Sequence, residues 1–224
     1  MKMILDLASG KYDTQLLNTP GNVVVHVDRC FGAGFGKSID ETAKIVEAFY
    51  NNSENQTKIE SITYNIFCKS DIFQFLDNFP IKAFDHINCN RFFEHLEYCS
   101  GEIGRMIEAC NVITKHDATM CFIVPNHKKL AEMILQSNHS DNDVMVINTE
   151  FCNIRFDPHL SIWTPEFAKR YIESEATWRI DNINENYNFA GRSIYMQVCC
   201  SKVNLNPDDS SKYDVDKNGE PLPF

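Results

Sequence analysis

Short apolar runs of strand length alternate along the chain with segments whose apolar residues recur every three to four positions. Residues 2–6 predict a short buried strand, and 23–28 (Val-Val-Val-His-Val-Asp) predict the clearest strand, β-branched and ending in an acid. Residues 38–50 follow with a helical period. Ser38 or Asp40 can cap that helix, and Ile39, Ala43, Val46 and Phe49 or Tyr50 share a face. A third strand is expected over 59–67, running into Cys68. Asp71 then caps a short helix over 72–79, which Pro80 stops. Strands are expected again at 83–89 and 118–124, with helical material across 91–114 broken near Ser100-Gly101. After Pro125 the rhythm changes: 127–136 reads as helical and 143–154 as extended. Thr164-Pro165-Glu166 is a strong helix start, and 177–183 and 193–203 read as closing strands.

Strands alternating with helices at this spacing imply βαβ units and a parallel, twisted sheet. In such sheets ligands bind beyond the carboxyl ends of the strands, so the strand-to-helix turns carry the chemistry. The first turn places Asp6 at the end of a strand, followed by the small residues Ala8, Ser9 and Gly10. Asp6 is either part of a ligand turn or a helix cap. Asp28, with Arg29 beside it, ends the second strand where a carboxylate can accept from two ribose hydroxyls. Asp71 and Ile72 pair an acid with an apolar side chain, suited to an adenine edge and face, although Asp71 can also serve only as a cap. Asn88 ends the fourth strand and either faces the ligand or satisfies nearby backbone.

Composition narrows the classes. The 224 residues are 43% apolar and 23% charged, ordinary for a globular chain with one large core. Acids outnumber bases 31 to 21, a net charge of −10, and no Lys/Arg-rich block interrupts them. That field disfavours non-specific nucleic-acid binding and leaves small-molecule or protein acceptors. The sequence has no apolar run of membrane-spanning length, and Asp6 comes too early for a secretory leader. Nine cysteines lack Cys-x-x-Cys spacing, and Cys68, Cys89, Cys121, Cys199 and Cys200 lie in apolar stretches. Buried reduced thiols in a cytoplasmic setting are expected. The histidines show no ligand spacing, so no metal is expected.

In order and spacing, these pieces resemble the class I S-adenosylmethionine-dependent methyltransferases. The matching stretches are Ile4 through Gly10, Val25-His26-Val27-Asp28, Lys69-Ser70-Asp71-Ile72, Phe84 through Cys89, Phe93-Glu94-His95-Leu96, and Ala118 through Asn126. His159-Leu160 and the 164–175 helix continue the order, so the resemblance covers about residues 2–202. It implies an α/β, Rossmann-like three-layer sandwich whose seven-stranded sheet is mostly parallel, with an antiparallel last strand near 194–202. It implies S-adenosylmethionine as cofactor, held by Asp6, Ala8, Ser9, Gly10, Asp28, Arg29, Asp71, Ile72 and Asn88. The expected domain runs over 1–203, with 127–162 an acceptor-side insertion whose Phe151 and Phe156, together with Trp163, are candidates for an acceptor pocket; 204–224 is a polar tail.

The first turn departs from the family pattern. Ala8, Gly10 and Tyr12 stand where three glycines are usual, and Ala8 is tolerated if its φ stays negative. That departure raises an alternative, a methyltransferase-like binding or scaffold protein without turnover. Among candidate bases, His95 is the first choice because imidazole can take a proton near neutral pH. Glu94 beside it is expected to be solvated, and His159 is a second candidate or a plain loop histidine. Gly32 through Ser38 superficially imitates a phosphate loop, but Phe31 occupies the position of its first glycine. Asp214 through Gly219 starts like a calcium loop and is read as an acidic turn in the tail.

Overall fold

The computed structural model describes residues 1–8, 19–31, 36–52, 62–136, 138–152, 158–174, 177–189 and 191–203. Seven strands form one sheet in the order β3-β2-β1-β4-β5-β7-β6. They are β1 (Lys2–Leu7), β2 (Asn22–Val27), β3 (Tyr64–Cys68), β4 (Phe84–Asn90), β5 (Thr114–Pro125), β6 (Trp178–Phe189) and β7 (Arg192–Lys202). β1 to β5 pair in parallel. β7 runs antiparallel to both β5 and β6, so it alone points the other way. The expected sheet, with its reversed last strand, is the observed one.

β1 and β2 are buried at five consecutive positions each, without alternation. Such strands are covered on both faces, which requires helices above and below the sheet. The described helices are α1 (Ile39–Asn51), α2 (Ile72–Asn78), α3 (Glu102–Ile113), α4 (His127–Ile134), α5 (Asp141–Cys152) and α6 (Pro165–Ser174), with a 3-10 turn over Phe93–His95. α1 starts with a capping box in which Ser38 and Glu41 satisfy each other's backbone donors. Its buried face carries Ala43, Val46 and Phe49. Gly101 opens α3 at φ 76, a left-handed position that suits glycine.

Four expectations change. Of the stretch 143–154 expected to be extended, 153–154 lie outside the described residues and 143–152 are helical, within α5 (Asp141–Cys152). Ser140 and Asp143 cap each other at its start, with Asp143 N donating to Ser140 Oγ at 3.2 Å and Ser140 N to Asp143 Oδ2 at 2.9 Å. Val146 and Glu150, one turn apart, turn inward. Local capping and a buried face override the β-branched run. Trp163 lines no acceptor pocket: it is fully buried, edge-on to Phe93, Phe122 and Phe167, and its indole N–H donates to Ser161 Oγ at 2.9 Å. Cys121 and Cys199 are not reduced thiols. They face each other in the β5–β7 register with Cα atoms 4.3 Å apart and are disulfide-bonded. Glu94, expected in solvent, is fully buried.

Candidate active site

The strand order reverses between β1 and β4, and a cavity of about 440 Å³ opens at the carboxyl ends of the strands there. One side is lined by Ala8, Asp28, Arg29, Asp71, Ile72 and Phe73, the other by Arg91, Phe92, His95, Leu96 and Glu102. Of the residues expected at a cofactor site, Ala8, Asp28, Arg29, Asp71 and Ile72 meet at this cavity, as does His95. Ser9, Gly10 and Tyr12 lie outside the described residues, as do the side chains of Phe151 and Phe156 and residues 32–35 and 204–224.

Each lining acid is held by its own turn. Asp28 Oδ1 accepts from Cys30 N at 2.6 Å, which fixes the turn after β2. Asp71 Oδ1 accepts from Phe73 N at 2.9 Å and Gln74 N at 3.3 Å and so caps α2. Asp71 therefore both caps and faces the cavity.

Asp6 and Asn88 lie elsewhere. Asp6 is fully buried, and among the described residues it caps no helix and does not line the cavity. Its Oδ2 meets His26 Nδ1 at 2.8 Å, and its Oδ1 accepts from Asn88 Nδ2 at 2.8 Å. His26 continues to Asn65 Oδ1 at 2.9 Å and stacks on Phe67. The network crosses β4, β1, β2 and β3 below the cavity. A buried carboxylate demands such partners, and the neighbouring strand supplied a histidine that the turn sequence alone did not reveal.

Among the described residues, the non-glycines with positive φ are Ala8 (φ 55) and Arg91 (φ 57), and both line this cavity. Ala8 thus violates the expected condition of a negative φ. Its N–H donates to Val27 O at 3.0 Å, so the turn is pinned to β2 whatever residue it carries. A left-handed alanine costs roughly 1–2 kcal/mol, a strain typical of functional turns.

The far side of the cavity is assembled from distant segments. Arg91 Nη2 lies 3.3 Å from Glu150 Oε2 of α5, its Nε lies 3.6 Å from Glu94 Oε1, and its guanidinium sits over the Tyr195 ring at 5.4 Å. Tyr195 donates to Glu150 Oε1 at 2.8 Å, and Arg192 Nη1 lies 3.6 Å from the same oxygen. Burial, the leading cause, pushes the Tyr195 hydroxyl well above the ordinary phenol range, keeping it a donor. The segment after α5 is laid onto the 3-10 turn: Leu160 N and Ser161 N donate to Glu94 O at 2.7 and 3.1 Å, and Ser161 Oγ donates to Phe93 O at 2.9 Å. His95 Nδ1 donates to Pro158 O at 3.1 Å. His159 packs edge-on to His95, with ring centroids 5.0 Å apart. Burial, then the neighbouring His95, lowers His159 to about 4. Glu150 went unnoticed in the sequence because its segment read as a strand.

No family model matches the chain, and no curated protein sequence does either. Solved structures do match. The chain is similar to a SAM-dependent methyltransferase from Methanosarcina mazei, at 15% identity over 92% of this chain and 93% of that one, with a TM-score of 0.54. It is also similar to the Burkholderia thailandensis 1,6-didemethyltoxoflavin-N1-methyltransferase, whose structure holds 1,6-didemethyltoxoflavin and S-adenosylhomocysteine. There the identity is 13% over 90% and 71% of the two chains, with a TM-score of 0.52. The plantazolicin methyltransferase BpumL in complex with SAH matches at 13% identity over 90% and 76%, with a TM-score of 0.50. At these identities the likeness establishes the fold, which is that of the class I S-adenosylmethionine-dependent methyltransferases.

Proposed function

We propose that the chain transfers a methyl group from S-adenosylmethionine to a small-molecule or protein acceptor, with His95 on the acceptor side. The observation that carries this reading is the convergence of Ala8, Asp28, Asp71, Ile72 and His95 on one cavity at the switch in strand order. The residues present fit the cofactor. Asp28 and Arg29 end β2 where ribose hydroxyls need an acceptor, and Ile72 and Phe73 offer an apolar wall to an adenine beside Asp71. A volume of about 440 Å³ lies within the range of small-molecule sites. When bound, S-adenosylmethionine supplies an electrophilic methyl group on a sulfonium sulfur.

The protein's part is binding, alignment and proton control. Asp6 and Asn88 brace the strands beneath Ala8, and Ser9 and Gly10 are the cofactor-binding candidates that follow it in sequence. His95 donates from Nδ1 to Pro158 O, so the neutral ring carries its lone pair on Nε2. That atom can take the acceptor's proton, and in-line positioning supplies much of the remaining rate. Residues 127–162 form the acceptor-side insertion of the 1–203 domain; Glu150 and Pro158 bring it onto Arg91 and His95. No helix among the described residues is long and apolar enough to cross a membrane. A cytoplasmic setting is part of the reading: the buried free thiols of Cys68, Cys89, Cys110 and Cys200 support it, and the Cys121–Cys199 disulfide counts against it.

The left-handed Ala8 favours a second reading, a methyltransferase-like scaffold that has lost turnover. Calorimetry and thermal unfolding with S-adenosylmethionine and S-adenosylhomocysteine separate the two. A ligand at 100 times its Kd adds ~2.7 kcal/mol to stability. Binding heat with that shift is expected; neither heat nor shift would leave only the scaffold.

A further inference from the structure

We propose that Glu94, His95 and His159 bind one divalent cation, of the Mn²⁺, Co²⁺ or Zn²⁺ type, at the acceptor edge of the cavity. Each residue offers one ligand atom, and these atoms lie within 4.8 Å of one another. Glu94 is fully buried, and its Oε1 faces His95 Nε2 at 4.0 Å. His95 is oriented as a ligand: Nδ1 donates to a backbone carbonyl, which puts the lone pair of the neutral ring on Nε2. That arrangement, with the second ring nitrogen bound to a carbonyl, recurs around metal-ligating histidines. His159 Nδ1 is buried without a hydrogen-bond partner.

The three side chains are also preorganised. Glu94 and His95 are adjacent on the 3-10 turn, and the segment carrying His159 is tied to that turn through Leu160 N, Ser161 N and Ser161 Oγ. A tetrahedral ion brings its ligands to roughly 3.4 Å from one another, so rotation about side-chain bonds closes the site. Two imidazoles and one carboxylate suit a borderline transition-series cation better than Mg²⁺ or Ca²⁺. Arg91 is the competing cation. It is drawn toward Glu150 and Tyr195, with its Nε 3.6 Å from Glu94. Three protein ligands leave a position open for an acceptor atom. On the methyl-transfer reading, on which this last step rests, the loaded cation would replace His95 as the means of activating the acceptor: it would polarise an acceptor hydroxyl and lower its pKa, so that the proton leaves to water, while in the metal-free chain His95 is the base.

The test uses the full chain and metal alone. MnCl₂ is titrated while the electron paramagnetic resonance signal of free Mn²⁺ is followed, and CoCl₂ is followed by visible absorption. One ion per chain is expected, with imidazole-type Co²⁺ bands. His159→Ala and Glu94→Gln should each weaken binding at least ~10-fold. Circular dichroism and melting of the metal-free variants check folding, and the more exposed His159→Ala serves if Glu94→Gln does not fold. Absence of saturable binding, or binding unchanged in folded His159→Ala, overturns the site and leaves Arg91 as the partner of Glu94. Calorimetry with S-adenosylmethionine in the presence of chelator is run separately. Cofactor binding without metal binding removes only the metal site; metal binding without cofactor binding removes only the methyl-transfer reading.

Discussion

The two ends of the cavity are built by different means. At the end proposed for the nucleoside, Asp28 and Asp71 hang on the turns directly after β2 and β3, each braced by backbone donors within three residues. At the end proposed for the acceptor, Arg91, Glu94, Glu150, Tyr195 and His159 come from the turn after β4, the 3-10 turn, α5, β7 and the segment after α5. The first end needs only the sheet to form. The second forms only when the whole chain has packed. Local turns place the cavity-lining acids whatever happens elsewhere, whereas a many-segment cluster ties the shape of the far end to the stability of the whole chain.

If so, damage to the acceptor end should spread further. Glu150→Ala removes the carboxylate shared by Arg91, Arg192 and Tyr195. The expected loss is about 2–3 kcal/mol, below that of a fully buried pair because both arginines reach water. Thermal unfolding should register it as a fall of roughly 5–10 °C. An unchanged melting point would erase the contrast. At the other end, Asp28→Ala should weaken S-adenosylmethionine by about 30-fold, near 2 kcal/mol, while the free protein loses the turn hydrogen bond to Cys30, about 0.5–1.5 kcal/mol, a smaller fall in melting point than that of Glu150→Ala. Calorimetry reads the first quantity and scanning fluorimetry the second; a large drop in melting with no change in affinity would reverse the assignment. Ala8→Gly relieves the left-handed alanine and should stabilise the chain by roughly 0.5–1 kcal/mol after the entropy of glycine is subtracted. Denaturant titration at constant m-value tests it.

The effect expected to vanish at neutral pH is the pH dependence around His159. His159 is lowered to about 4 in the folded chain, mainly by burial and secondly by His95, against an ordinary 6.5. Below 6.5 the unfolded chain binds a proton that the folded chain refuses. Stability therefore falls as pH drops from 6.5 toward 4 and is unaffected by this group above that window. His159→Gln should flatten that part of the profile; an identical slope in the variant would assign the dependence to other groups.

The same division explains what was legible in the sequence. Strand-terminal acids and caps are local, so Asp28, Asp71, Ser38 and the βαβ rhythm could be read from neighbours alone. Asp6 stood out as well, but its partner His26 belongs to the adjacent strand, and the carboxylate went to the β-sheet network rather than to the cavity. The α5 segment misled because Val144-Met145-Val146-Ile147 imitates a strand, while the cap at Ser140 and the inward Glu150 decide the outcome. The pairing of Cys121 with Cys199 across 78 positions, and the approach of His159 to Glu94 and His95, depend on β7 and the post-α5 segment returning to the centre. No spacing rule within one stretch of chain reports such returns.

Asp6 also bears on motion. Because its carboxylate ties His26 and Asn88 from the two flanking strands, β2, β1 and β4 cannot slide or splay independently just beneath the first turn. Breathing that admits a ligand must then come from the rim. The amides of these three strands should be the last to exchange with deuterium, while those around Arg29 and Phe92 exchange early.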